Sequence, residues 1–129
     1  MATVLITGIA GSLARLTALR LLVDGHRVVG VDYRPQPKSH PSTNPYTQAN
    51  YNKTKIEDVF RKEKPEAVLH LGRVGNLKVR EGKRFDLNVV GSAKIMELSL
   101  KYGVDRLVVL STFHIYGAHH ANHIPIYED

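Results

Sequence analysis

Two groups of residues have the types and spacing to do chemistry. The first is Thr7-Gly8-Ile9-Ala10-Gly11-Ser12-Leu13-Ala14, a run of mostly small residues between an apolar stretch and a helically spaced one. A glycine turn that opens a helix leaves backbone N–H groups and the positive end of the helix dipole facing outward, which suits a diphosphate. Glycine permits the tight turn and lets the ligand approach the backbone, and a small residue one turn later lets the helix pack close to the sheet. Gly8, Gly11 and Ala14 stand at those three positions. The second group is Asp32-Tyr33-Arg34, with Asp32 placed 24 residues after Gly8. A carboxylate there can accept hydrogen bonds from the ribose hydroxyls of an adenosine and repels a 2′-phosphate, which favours NAD. Arg34 pulls the other way, because a guanidinium two residues on can hold a 2′-phosphate or stack on adenine. NAD is the expected cofactor, and NADP stays open.

The elements that must position these groups can be read from periodicity. Residues 2–7 form a short β-branched run that reads as a buried strand. From Ser12 to Val23, Leu13, Leu16, Leu19, Leu22 and Val23 fall at helical spacing, with Gly25 as the C-terminal cap. Arg27–Asp32 reads as a second strand, so the chain opens β-α-β, the unit of parallel sheet. Residues 35–45 are loop, with Pro37, Pro41 and the Asn44-Pro45 pair. Residues 46–49 suit a short third strand, and 56–64 a helix with Ile56, Val59 and Phe60 inward, stopped by Pro65. Residues 67–71 suit a fourth strand, 72–82 a polar loop, 86–102 the longest helix, capped by Gly103, and 106–111 a fifth strand. After Gly117 the pattern ends, and residues 115–129 are expected to be loop. Five apolar strands alternating with helices predict an α/β, doubly wound parallel sheet in the order 3-2-1-4-5, forming one domain over residues 1–129. Ligands of such sheets lie beyond the carboxyl ends of the strands, where both groups fall.

Composition narrows the function classes. The 129 residues are 43% hydrophobic and 23% charged, ordinary values for a folded domain. The absence of cysteine excludes disulfides and thiolate metal sites and fits a reducing cytoplasm. No run reaches the ~20 apolar residues of a membrane span, and the first residues lack the basic start of a signal peptide. The net charge of +6 is scattered and not interleaved with aromatic residues, so a nucleic-acid partner is not expected. His114, His119, His120 and His123 cluster, but their spacing suits neither helix face, and a solvated loop is expected, with no metal.

In its motifs the chain resembles the extended short-chain dehydrogenases/reductases, the group of NAD-dependent epimerases and dehydratases. Residues 7–14 are similar to the family's T-G-x-x-G-x-x-G. Asn50-Tyr51 stands at its Asp-hydrophobic pair, and His70-Leu71-Gly72-Arg73 resembles its H-L-A-A. Asn88-Val89-Val90-Gly91-Ser92 resembles its N-V-x-G-T. Residues 103–112 are similar to G-V-x-R-F-V-Y-x-S-S, and Ile115-Tyr116-Gly117 follows as V-Y-G. The resemblance implies a Rossmann domain with cofactor contacts at Gly8, Ala10, Gly11, Ser12, Leu13, Asp32, Tyr33, Arg34, Asn50, Tyr51, Leu71, Gly72, Arg73, Asn88, Leu110 and Ser111. It also implies that Thr112 is the catalytic Ser/Thr, whose hydroxyl bonds the reacting oxygen. Four departures stand out. Ala14 replaces the third glycine, Asn50 the acid, and Gly72-Arg73 the two alanines. The fourth is that no Tyr-x-x-x-Lys follows Thr112, so the pair that would supply a tyrosinate base is not expected here.

Two functions therefore compete. One is the cofactor-binding part of an NAD(P)-dependent epimerase, dehydratase or reductase acting on a nucleotide sugar or a similar small substrate, with the 129 residues inactive by themselves. The other is a non-catalytic module that holds or senses a dinucleotide. The apolar edge of the fifth strand and the long helix, which forms dimer bundles in the family, lead to an expectation of homo-oligomers.

Overall fold

A computed structural model describes residues 1–38, 45–51, 54–112, 117, 120 and 121. The elements are β1 (Thr3–Thr7), α1 (Ser12–Val23), β2 (Arg27–Asp32), β3 (Tyr46–Gln48), α2 (Thr54–Glu63), β4 (Ala67–His70), α3 (Glu81–Phe85), a π-helical turn (Asp86–Val90), α4 (Gly91–Lys101) and β5 (Arg106–Val109). The strands form one sheet in the order β3-β2-β1-β4-β5, and every pairing is parallel. This is the expected doubly wound arrangement. No helix among the described residues is long and apolar enough to cross a membrane.

Both faces of the sheet are covered, as its continuous apolar strands require. On one face, Leu5, Val29, Val31 and Val68 pack with Ile56, Val59 and Phe60 of α2 and with Ile95 and Leu98 of α4. On the other, Val4, Ile6 and Val28 pack against Ala14 and Ala18 of α1. The inward α2 residues are those the sequence predicts. The leucine stripe of α1 behaves differently. Leu13 and Leu16 are 53% and 62% exposed, and only the two alanines are fully buried. The small side chains bring the helix axis close to the sheet, and that orientation turns the leucines outward.

The long helix also differs from expectation. It begins at Glu81, inside the stretch read as loop, and passes through the π-helical turn before α4. The turn brings Asn88 and Ser92 onto the ends of the sheet. Asn88 holds the segment after β4 from both sides: its Oδ1 accepts from the Val74 N–H at 2.7 Å, and its Nδ2 donates to the Val74 carbonyl at 3.0 Å. Ser92 donates to the Asn88 carbonyl at 2.6 Å, so its oxygen is left to accept from His70 Nε2 at 2.8 Å. With that nitrogen protonated, His70 Nδ1 is an acceptor, and the Thr7 hydroxyl donates to it at 2.6 Å. The Thr7 oxygen in turn accepts the Gly72 N–H at 3.1 Å. This directed chain ties β1, β4 and the long helix together with a neutral imidazole at its centre.

Tyr51 fills the space beneath these strand ends and is 1% exposed. A Cβ on Gly72 would lie 2.6 Å from Tyr51 Cζ, and one on Gly91 would lie 2.9 Å from Tyr51 Cβ. Glycine at 72 therefore follows from the bulk of tyrosine at 51.

Two predictions arise from this packing. Burial pushes His70 down from 6.5 to about 4. The unfolded chain then takes up a proton that the folded one refuses. Stability from this group is complete above pH 6.5 and falls by up to about 3 kcal/mol as the pH drops to 4. Urea unfolding across that window should show a steeper acid loss for the natural chain than for His70→Gln, and parallel profiles would refute the neutral-histidine reading. Second, Gly72→Ala should destabilise by about 1–3 kcal/mol through overpacking. Tyr51→Leu in the same chain should restore much of that loss, as a double-mutant cycle of unfolding free energies would register. Strict additivity would show that the two positions do not share the space.

Candidate functional site

The carboxyl ends of β1, β2, β4 and β5 surround a cleft of about 610 Å³. Its floor is the turn between β1 and α1. Gly8 has φ +70°, and a Cβ there would come 2.5 Å from Gly72 Cα, so the turn and the strand-four exit touch backbone to backbone. The turn closes with the Gly11 N–H donating to the Gly8 carbonyl at 2.9 Å. Gly11 is the N-cap of α1, in extended conformation and with no side chain capping the helix. The first-turn amides of an α-helix have no partner within the helix, and here Ser12 and Leu13 of that turn line the cleft. A diphosphate on those amides would also face the positive end of the helix dipole.

Asp32 ends β2 beside the glycine turn and is fully buried. Its Oδ2 accepts from the Ala10 N–H at 3.0 Å, which fixes the turn from β2. The remaining acceptor capacity goes to Arg34. The Arg34 backbone N–H donates to Oδ1 at 2.9 Å, Nε to Oδ1 at 3.1 Å and Nη2 to Oδ2 at 3.0 Å. The hydrogen bond to Asp32 raises the Arg34 pKa, so the guanidinium is permanently charged. It also lies 5.5 Å from the centre of the Tyr33 ring, and Lys83 Nζ of α3 lies at the same distance from that ring. Beneath this group, the Tyr46 hydroxyl donates to the Arg34 carbonyl at 2.6 Å. Burial, reinforced by the Asp32 charge, pushes the Tyr46 phenol up to about 12.

The structure brings most of the sequence-predicted residues to one place. Gly8, Gly11, Ser12, Leu13, Tyr33, Arg34, Tyr51, Leu71, Gly72, Arg73, Leu110, Ser111 and Thr112 all line the cleft. Ala14 joins them. Ala10, Asp32, Asn50 and Asn88 do not line it. Ala10 and Asp32 support the turn, and Asn88 pins the Val74 segment. Thr112 stands at the rim beyond β5, exposed and on the side of the cleft away from Asp32's strand. Tyr116, His114, His119 and His123 lie outside the described residues. Among the described residues no group of acids and histidines is arranged to hold a metal.

One pair ahead of Thr112, Tyr51 and Lys55, has the Tyr-x-x-x-Lys spacing. The structure separates them. Tyr51 is buried, with its phenol held neutral first by burial and next by the Asp32 charge, whereas Lys55 is exposed on α2. No lysine lowers that phenol, so the pair is not a base. Lys83, between the stretch read as loop (72–82) and the helix read from 86, is not among the expected site residues. Its one signal, a basic cluster with Arg80 and Arg84, does not show which residue faces Tyr33.

A family model described as the NAD dependent epimerase/dehydratase family matches residues 4–129. Among curated proteins, Protein CapI of Staphylococcus aureus is 32% identical over 89% of this chain and 39% of its own length. A UDP-glucose 4-epimerase of Pisum sativum is 30% identical over 98% of this chain and 40% of its own length. Among solved structures, the Bordetella bronchiseptica enzyme WbmH in complex with NAD+ superposes with a TM-score of 0.83 at 25% identity, covering 92% of this chain and 42% of that one. The UDP-glucose 4-epimerase of Thermotoga maritima with UDP-glucose gives 0.77 at 27% identity, covering 85% and 38%. The chain thus spans about two fifths of the length of the curated relatives it matches. The glycine turn, the acid ending β2 and the parallel sheet agree with what these matches say of ancestry: this chain belongs to the NAD dependent epimerase/dehydratase family.

Proposed function

We propose that this chain holds the dinucleotide of an NAD-dependent epimerase, dehydratase or reductase acting on a nucleotide sugar. The observation that carries the reading is the uncapped amino end of α1 opening into a cleft at the carboxyl edge of a parallel sheet. The diphosphate rests on the amides of Ser12 and Leu13. The adenosine lies toward Tyr33 and Arg34, and the nicotinamide toward Leu110, Ser111 and Thr112. The bound coenzyme supplies the hydride chemistry, and the protein orients it. Thr112 holds the reacting oxygen of the substrate by its hydroxyl. Relatives whose names or bound ligands include UDP-glucose support the substrate class.

By the sequence, the 129 residues bind without turnover, since no Tyr-x-x-x-Lys follows Thr112. We further propose that the chain self-associates. In support, β5 is an edge of the sheet among the described residues, with Val108 and Leu110 45% and 46% exposed beside it, and the leucines of α1 form a second outward apolar stripe over β1 and β2.

Four experiments test these readings. NADH fluorescence titration of the 129-residue protein should saturate, and no saturable binding up to millimolar NADH would overturn the dinucleotide reading. The same protein should reduce no NAD with UDP-glucose, and measurable reduction would show a base that the sequence does not reveal. Gly11→Asp is the sharpest variant. An aspartate suits the N-cap, but its Cβ would meet the Gly8 carbonyl oxygen at 3.2 Å, so thermal stability should fall by no more than about 1 kcal/mol, while a carboxylate on the diphosphate amides should weaken NADH at least tenfold. Unchanged affinity would place the diphosphate elsewhere. For self-association, light scattering at high concentration should report species above 14.4 kDa, and a monodisperse monomer would count against it.

A further inference from the structure

The side chains lining the cleft carry charge unevenly along its length. No aspartate or glutamate is among them, and the charged ones are Arg34 and Arg73. Arg34 follows β2 and is balanced by the buried Asp32 in a bidentate pair. Arg73 follows β4, where the family pattern has alanine, and its side chain has no such partner. Among the described residues it forms neither an ion pair nor a hydrogen bond. Its Nη2 would lie 3.3 Å from a Cβ on Gly75, so the guanidinium folds over the segment leaving β4 and away from Gly11, whose neighbouring cation is Arg34.

The order of the strands sets what Arg73 faces. The sheet runs β3-β2-β1-β4-β5, so a ligand with its adenosine beyond β2 and its diphosphate beyond β1 brings its other ring to the exits of β4 and β5. The lining there is Leu71, Gly72, Arg73, Leu110, Ser111 and Thr112, with one charged side chain, a cation that no acid offsets. The oxidised and reduced forms of a nicotinamide coenzyme share the adenosine and the diphosphate. They differ by one charge on the ring, which is a cation when oxidised and neutral when reduced. A fixed cation at that end of the cleft opposes only the oxidised ring. Resting on the dinucleotide reading above, we propose that Arg73 sets the redox preference of the bound coenzyme, so that the chain binds NADH more tightly than NAD+.

Arg73 acts here through its field and touches no reacting atom. The guanidinium is exposed, so water screens it, and the preference is about three- to tenfold. By linkage, a tenfold preference for the reduced form raises the potential of the bound two-electron couple by about 30 mV. The bound coenzyme is then a readier acceptor of electrons from a substrate alcohol.

The test compares two dissociation constants on the 129-residue chain and on two variants, with folding checked by circular dichroism. NADH is measured by fluorescence titration and NAD+ by competition against it. Contacts to the shared adenosine and diphosphate cancel in the ratio. The natural chain should favour NADH about three- to tenfold, and added salt should shrink that preference. Arg73→Gln should bring the ratio close to one, whereas Arg73→Lys, which keeps the charge, should retain most of it. NAD+ binding the natural chain as tightly as NADH, or more tightly, would overturn the proposal and spare the dinucleotide reading. Equal losses of both coenzymes in Arg73→Gln would also overturn it, by assigning the guanidinium to the diphosphate. An Arg73→Lys ratio as low as that of Arg73→Gln would do the same, by tracing the preference to guanidinium hydrogen bonds and not to charge. Failure of both coenzymes to bind the natural chain would remove the dinucleotide reading and this proposal together.

Discussion

The architecture of this cleft depends on a backbone contact with no room for a side chain. The turn after β1 and the exit from β4 meet at Gly8 and Gly72, close enough that a Cβ on Gly8 would overlap the Gly72 backbone. Everything that faces the cleft is set by that approach. It brings the amino end of α1 level with the strand ends and lets the Gly72 N–H reach the Thr7 hydroxyl. It also leaves beneath it a space that Tyr51 fills. The buried imidazole of His70 stabilises the contact from behind, because each of its nitrogens has one partner and the direction of every proton in the chain is fixed.

Much of this was legible in the sequence, for physical reasons that differ from residue to residue. Strands β1, β2 and β4 are covered on both faces, so they read as short, mostly apolar runs, β-branched in β1 and β2, and the order of the sheet followed from their alternation with helices. The inward face of α2 was legible because Ile56, Val59 and Phe60 sit in a polar background. The face of α1 was not. Its leucines outnumber its alanines, and periodicity records only where apolar residues lie; what seats the helix on the sheet is small volume, at Ala14 and Ala18. The start of the long helix was obscured by its composition. Residues 81–84 are mostly polar and Phe85 is exposed, so no apolar stripe announces them, and helix there is held by its continuity with the turns that follow.

The candidate site shows the same division. Residue type and distance from a strand end were enough to place the glycine turn, Tyr33, Arg34 and the segment after β5 around one cleft. What sequence could not give was the allegiance of Asp32. A carboxylate ending β2 reads as a ribose acceptor, and an arginine two residues later reads as a rival. The fold makes them a single unit, because the buried carboxylate would otherwise hold an uncompensated charge. The electrostatic character of that end of the cleft belongs to the pair and to Lys83, and no single residue type predicts it.

The π-helical turn at Asp86–Val90 has its own consequence for how this chain can vary. A regular helix rotates about 100° per residue, so one residue accommodated in a widened turn re-phases everything before it against everything after it. Asn88, facing the Val74 segment, and Ile95 and Leu98, facing the sheet, keep their directions only while that extra residue is present. Loss of one residue here would straighten the helix and improve its local geometry, yet swing Lys83 and its neighbours a quarter-turn or more around the axis. In this chain a less regular helix is the condition for Lys83 to face Tyr33 while Ile95 and Leu98 face the sheet.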